Sequence, residues 1–124
     1  MDRETALAEA PTVASLYAQY LSERSDDHIY ETEKGFVTYR FINGGKTLYI
    51  VDIFVLPEFR QAKVAGDMAD KVCSLAKEKG SIEVLGSVCP SAKGSTISLK
   101  VLLGYGMSLQ SASDNFIVFR KEIQ

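Results

Sequence analysis

The chain is predicted to fold as one α/β (α+β) domain, with helices packed on a mixed, mostly antiparallel sheet. Three observations predict this. Apolar residues switch along the chain between the helical spacing and the two-residue period of strands. The turn sequence Asn43-Gly44-Gly45 separates two β-rich runs and reads as a hairpin. The second run leads into a long helix and then another strand, the order of a βαβ unit. With 124 residues there is enough chain for one core and too little for two, so residues 1–124 read as a single domain.

The elements follow in order. From Thr12 to Glu23, Val13, Leu16, Tyr17, Tyr20 and Leu21 recur at helical spacing, and Pro11-Thr12 makes a suitable start. Ser22 to Asp27 is polar and reads as a loop. Ile29 to Thr32 is a short strand, Lys34-Gly35 a turn, and Phe36 to Ile42 a second strand. Thr47 to Val55 returns from the hairpin. Ala62 to Lys79 is a helix with Val64, Met68, Val72 and Leu75 on one face, beside Ala65, Ala69, Cys73 and Ala76; Gly80 ends it. Ile82 to Val88 is a buried strand, placed to run parallel to Thr47–Val55. Ser95 to Leu103 is a short helix broken by Gly104-Tyr105-Gly106. Met107 to Leu109 and Phe116 to Lys121 form a last hairpin around 111–115.

Composition narrows the function. The hydrophobic fraction of 46% and charged fraction of 24% are those of an ordinary globular protein. A net charge of −2 lacks the basic bias of a nucleic-acid surface. Apolar runs are strand-length and Asp52 interrupts the best of them, so no membrane span is expected. The Met-Asp-Arg-Glu-Thr start has no signal-peptide core. Cys73 and Cys89 have neither disulfide-framework nor metal spacing, so no metal site is expected and a cytoplasmic setting is the simplest.

The stretch Leu48 to Gly66 carries the functional signal. A strand stops at Pro57, turns through Glu58 and Phe59, and opens a helix near Gln61. The first N–H groups of a helix lack intrahelical partners and the dipole favours negative charge there, which makes an anion site. Gln61, Ala62, Lys63, Val64, Ala65 and Gly66 are therefore read as a diphosphate cradle. The plainer reading is a helix start with small residues for close packing.

Val55-Leu56-Pro57-Glu58-Phe59-Arg60, with Lys63 and Ala65 at the following small positions, resembles the Gcn5-related N-acetyltransferase (GNAT) superfamily. The family pattern is Val-x-Pro-x-x followed by Arg/Gln-x-x-Gly-x-Gly/Ala. The short helix leading to Gly106-Met107 resembles the later family motif, and the likeness spans roughly Ile29 to Ile123. The resemblance implies a sheet splayed at its centre, acetyl-CoA as co-substrate in the splay, and transfer to the amine of an acceptor. It implies that backbone groups of Phe54, Val55 and Leu56 hold the pantetheine and carbonyl, and that Arg60 begins the cradle. Ser95 and Ser98 begin the short helix where the family often has an asparagine contacting CoA; Ser95 as a plain N-cap explains it equally well. The sequence departs from the pattern at Lys63, which replaces a glycine, and at Leu102, where many members carry the tyrosine that protonates the departing thiolate. A Cβ at Lys63 is tolerable if the residue has helical φ, and its ammonium could itself reach a phosphate. Tyr105 is the nearest substitute acid. The front of the chain is short for the family, and a homodimer would complete the acceptor side.

Asp52 is the sharpest single residue. Alternation puts it in phase with Leu48, Ile50 and Phe54, where partial desolvation raises a carboxyl pKa and suits a general base. Pairing with Arg40 or Lys46, or facing solvent at a sheet edge, is the alternative. His28 reads as a loop residue, Cys73 as packing, Cys89 as small-residue packing, and Lys93 and Lys100 as solvated lysines or contacts to the CoA 3′-phosphate. A binding module on a GNAT fold, without turnover, or an acyl-CoA sensor is the rival to the enzyme.

Overall fold

The hairpin at Asn43-Gly44-Gly45 belongs to a six-stranded sheet. We describe residues 15–60 and 63–123 of a computed structural model. In chain order the elements are α1 (Leu16–Arg24), β1 (His28–Thr32), β2 (Gly35–Ile42), β3 (Thr47–Val55), α2 (Val64–Glu78), β4 (Glu83–Val88), α3 (Ser95–Gly104), β5 (Ser108–Ser113) and β6 (Phe116–Glu122). Short 3-10 turns span Asn43–Gly45 and Pro57–Phe59. The strand order is β1-β2-β3-β4-β6-β5. Only β3 and β4 run parallel; every other pair is antiparallel.

The helix α2 forms for the reason the spacing gives. Val64, Met68, Ala69, Val72, Cys73 and Ala76 are buried against the sheet, where Leu48, Ile50, Val37 and Val84 meet them. Gly80, at φ 98°, turns the chain back toward β4. The final hairpin is longer than expected, and β5 is exposed throughout. The start of the predicted first helix, Thr12 to Ala14, lies outside the described residues. Ser15 caps the remainder: its hydroxyl accepts from the Ala18 N–H at 3.0 Å and donates to Glu31 at 2.6 Å, tying α1 to β1. The expected apolar face of α1 is mostly open. Leu21 alone is buried, while Tyr17 and Tyr20 are exposed.

β3 is where the pleat departs from simple alternation. Thr38 pairs with Asp52 and Tyr39 with Ile50, so Val51 is an extra residue, a β-bulge. Leu48 and Ile50 face the α2 side. Beyond the bulge the pleat is shifted, and Asp52 and Phe54 face the α1 side with Thr38 and Phe36. The expectation that Asp52 shares a face with Leu48 and Ile50 is thus corrected, because one inserted residue reverses the phase.

The parallel β3–β4 ladder covers only Thr47–Glu83 to Ile50–Gly86. Its closed end is clamped by polar side chains. Thr47 Oγ1 donates to Glu83 at 2.6 Å and Asn43 donates to Thr47 at 3.0 Å, while Arg120 Nε donates to the other Glu83 oxygen. These bonds hold the Glu83 carboxyl below its usual pKa, the Thr47 bond first. Past Ile50 the strands separate. β3 bulges away, and β4 goes on pairing with β6 at Ser87–Val118 and Val88–Ile117. The sheet therefore opens at its centre.

Candidate active site

The opening between β3 and β4 continues into a trough. Its inner end is a cavity of about 80 Å³ lined by Asp52, Ile53, Ser87, Ser98, Val101 and Leu102, among others. A larger space of about 370 Å³ adjoins it, running past Phe54 and Val55 to Arg60 and Ala65. Beyond Ala65 the trough widens to about 680 Å³ between α2 and α3, bordered by Lys63, Gly66, Asp67 and Lys100. The shared residues Arg60, Ala65, Ile97 and Val101 make the last two spaces neighbours.

Backbone geometry decides what each wall can offer. The Leu56 N–H donates to the Lys34 carbonyl at 2.9 Å, so it is spent on the β2 side. Successive N–H groups of a strand point to opposite edges. The Phe54 N–H therefore points toward β2, and those of Ile53 and Val55 point into the opening. Of the three residues expected to offer main-chain groups, Val55 alone turns its N–H there, and Ile53 joins it. The Val55 carbonyl accepts from Arg60 Nε at 2.9 Å, which fixes Arg60 at the trough wall, its guanidinium 5.6 Å from the Phe54 ring.

At the start of α2, Lys63 occupies the cap position and its carbonyl accepts from Asp67 N–H at 3.0 Å. The cap residue makes no side-chain hydrogen bond, and Val64, Ala65 and Gly66 form the first turn, whose N–H groups precede the helix's own i−4 ladder. A Cβ at Gly66 would meet nothing within 4 Å, so the approach is open. Gln61 and Ala62 lie outside the described residues. Lys63 has φ 61° and ψ 18°, left-handed rather than helical. The condition of helical φ is thus not met, and a glycine suits the position. Lys63→Gly relieves the left-handed penalty but adds unfolded-state entropy, for a net gain of about 0.5–1 kcal/mol. The unliganded thermal midpoint should rise by a few degrees; a fall would mean that the lysine side chain contributes more than its backbone costs.

Asp52 sits where the opening reaches the α1 face. One side of its carboxylate meets solvent, but the walls of the cavity strip water from the other. Desolvation pushes its pKa up, and the charge of Asp27 adds to the rise. Arg40 does not neutralise it, because its Nε donates to Asp27 at 2.6 Å. Across the ladder from Asp52, the Thr38 hydroxyl is buried without a hydrogen-bond partner among the described residues. Thr38 and Ser87 were not singled out as site residues by sequence reasoning; Ser98 was, with Ser95, and of the two it is Ser98 that lines the cavity. Thr38 becomes visible only through the bulge that brings Asp52 opposite it.

Other candidates lie elsewhere. The Tyr105 hydroxyl donates to Asp70 at 2.7 Å, and Lys121 packs 4.0 Å from its ring centre and donates to its carbonyl. Burial, with its bonds to Cys73 and Asp70, raises its pKa far above the usual phenol value. It borders the wide end of the trough, not the cavity at Asp52. Ser95 neither caps α3 nor lines these spaces. Gly94 is the cap residue, and the Ser95 hydroxyl donates to the Pro90 carbonyl at 2.9 Å; Ser98, one turn on, lines the cavity. His28 stacks on Tyr39, on the sheet face opposite Asp52. Leu102 is buried against Gly86.

A model of the Acetyltransferase (GNAT) family matches residues 11–98. The chain belongs to the GNAT acetyltransferase family. No curated protein matches it in sequence. Solved structures share the GNAT fold at low identity. A Desulfovibrio desulfuricans protein named for the GNAT family superposes with TM-score 0.70 at 14% identity, covering 86% of this chain and 76% of that one. The PaiA N-acetyltransferase of Thermoplasma acidophilum, in complex with coenzyme A, gives 0.66 at 14% identity, covering 84% and 65%. Ard1 of Thermoplasma volcanium gives 0.65 at 19%, covering 95% and 84%.

Proposed function

We propose that this chain is an N-acetyltransferase that moves the acetyl group of acetyl-CoA directly to a primary amine. The observation that carries the reading is the loss of β3–β4 pairing beyond Ile50, beside Asp52, which has no ion-pair partner among the described residues. The trough fits the cofactor's chemistry. The first-turn N–H groups of Val64, Ala65 and Gly66 suit a diphosphate, and Arg60, Lys63, Lys93 and Lys100 supply positive charge along the same walls. The N–H groups of Ile53 and Val55 suit the amide and carbonyl oxygens of an extended arm.

Acetyl-CoA supplies the acetyl group as a thioester. Asp52 takes a proton from the acceptor ammonium at a carboxylate oxygen, directly or through a water shared with the Thr38 hydroxyl, leaving a free amine for attack. Main-chain N–H groups at the open edge of β3 stabilise the negative charge that develops on the carbonyl oxygen. The new C–N bond replaces the C–S bond. With Leu102 in place of a tyrosine and Tyr105 held on Asp70, the departing thiolate takes its proton from solvent at the trough mouth.

Leu102 and Lys63 also support a second reading, a CoA-binding module without turnover. Thermal unfolding with acetyl-CoA, followed by mass detection of acetylated amines, separates the two. At a hundredfold excess over Kd the midpoint should rise by about 10 °C, from roughly 2.7 kcal/mol of linkage. Acetylated product supports the transferase; a shift without product supports the module. Absence of any shift at millimolar acetyl-CoA would sink both.

A further inference from the structure

Next to Asp52, on the α1 face of the sheet, three aromatic rings stand in a row that the core does not use. Phe36 and Phe54 are cross-strand partners with ring centres 5.7 Å apart, and Tyr17 of α1 meets Phe36 edge-on at 5.6 Å. Phe54 is 42% exposed and Tyr17 40% exposed. None of the three belongs to the buried core or to the partly buried residues packed on it. Phe36 and Phe54 line the same space as Asp52.

We propose that the acceptor is a primary amine carried on a short apolar or aromatic arm, its ammonium on Asp52 and its arm along Phe54, Phe36 and Tyr17. This rests on the transferase reading and names the acceptor that the site would take. Three features support it. The first is charge. Asp52 has no cationic partner among the described residues, Arg40 being held by Asp27, and the charge of Asp27 adds to the negative field at Asp52. A cation is wanted there, not an anion or a neutral hydroxyl. The second is surface. Exposed rings beside a carboxylate offer apolar contact for the stem of an ammonium held on Asp52; the Arg60 guanidinium already stands over the Phe54 ring, so the stem and not the ammonium meets that ring. The third is spacing. Asp52 and Phe54 are two residues apart on one strand, so about 7 Å separates them. That matches an amine nitrogen set two to four carbons from a ring or branched apolar group.

The test is calorimetric titration of the full chain with 2-phenylethylamine, ethylamine and spermidine, each with and without CoA. We expect 2-phenylethylamine to bind about tenfold more tightly than ethylamine, and more tightly than spermidine. Phe54→Ala and Tyr17→Ala should each shrink the ratio of the first two. Phe54→Leu, which keeps apolar bulk without the ring, should leave an intermediate ratio and stands in should Phe54→Ala fold poorly. Equal affinities, tighter spermidine, no binding of any amine, or ratios unmoved by every variant would overturn the proposal. Titration with CoA alone judges the transferase reading separately. If CoA fails to bind, that reading falls, while the amine ratio on the free protein still decides the aromatic row.

Discussion

Asp52→Asn is expected to lower acetyl transfer by roughly 10²–10⁴-fold, the usual worth of a positioned general base. The same change should raise the thermal midpoint at neutral pH. The sign follows from the pKa shift. Desolvation and the charge of Asp27 raise the carboxyl pKa in the folded protein above its unfolded value. The folded state then binds the proton more tightly. Ionised Asp52 thus costs stability, a cost absent below the unfolded pKa and complete once pH exceeds the folded one. Asparagine, which does not ionise, removes that cost wherever Asp52 is charged. Activity of the wild type should rise with pH along a limb displaced upward from ordinary carboxylates, and Asp52→Asn should erase that limb. A variant that keeps the wild-type rate would remove Asp52 from the mechanism. One that loses activity and stability together would mean that the side chain is structural.

Gly35→Ala is expected to produce the largest loss of stability among conservative changes near the site. A Cβ there would lie 2.2 Å from the Phe54 carbonyl oxygen and 2.9 Å from the Val55 Cα. Both are backbone atoms and cannot swing aside as a side chain would. β2 and β3 must part at the end that carries the Val55 N–H, at a cost of about 1–3 kcal/mol. Denaturant unfolding measures it as a lower midpoint with an unchanged slope. The displacement also moves the Phe54–Leu56 segment, so CoA affinity should fall with stability. A midpoint equal to the wild type would show that β2 and β3 do not approach this closely.

Much of the frame was legible in the sequence. The limits of β3 follow from the Gly-Gly turn before it and Pro57 after it, and the buried face of α2 from four apolar residues at helical spacing. The family pattern led to the trough wall at Arg60, Lys63 and Ala65. What was hidden depends on pairing between strands distant in sequence. The bulge at Val51 has no local signature, because Val51 is as good a strand residue as its neighbours. Without it, alternation puts Asp52 on the wrong face and leaves Thr38 unremarked. The parting of β3 and β4 is set by β4 following β6, a choice no residue of β4 reveals alone. Lys63 shows the limit of a motif. Its place in the pattern pointed to a backbone position that favours glycine, but the left-handed φ is visible only in three dimensions.

The most direct test is a two-dimensional amide NMR titration of the full chain with CoA. The account predicts the largest shifts at the N–H groups of Ile53, Val55, Val64, Ala65 and Gly66, with Leu56 less affected because its N–H is held by Lys34. Shifts confined to other surfaces, or none at millimolar CoA, would contradict it.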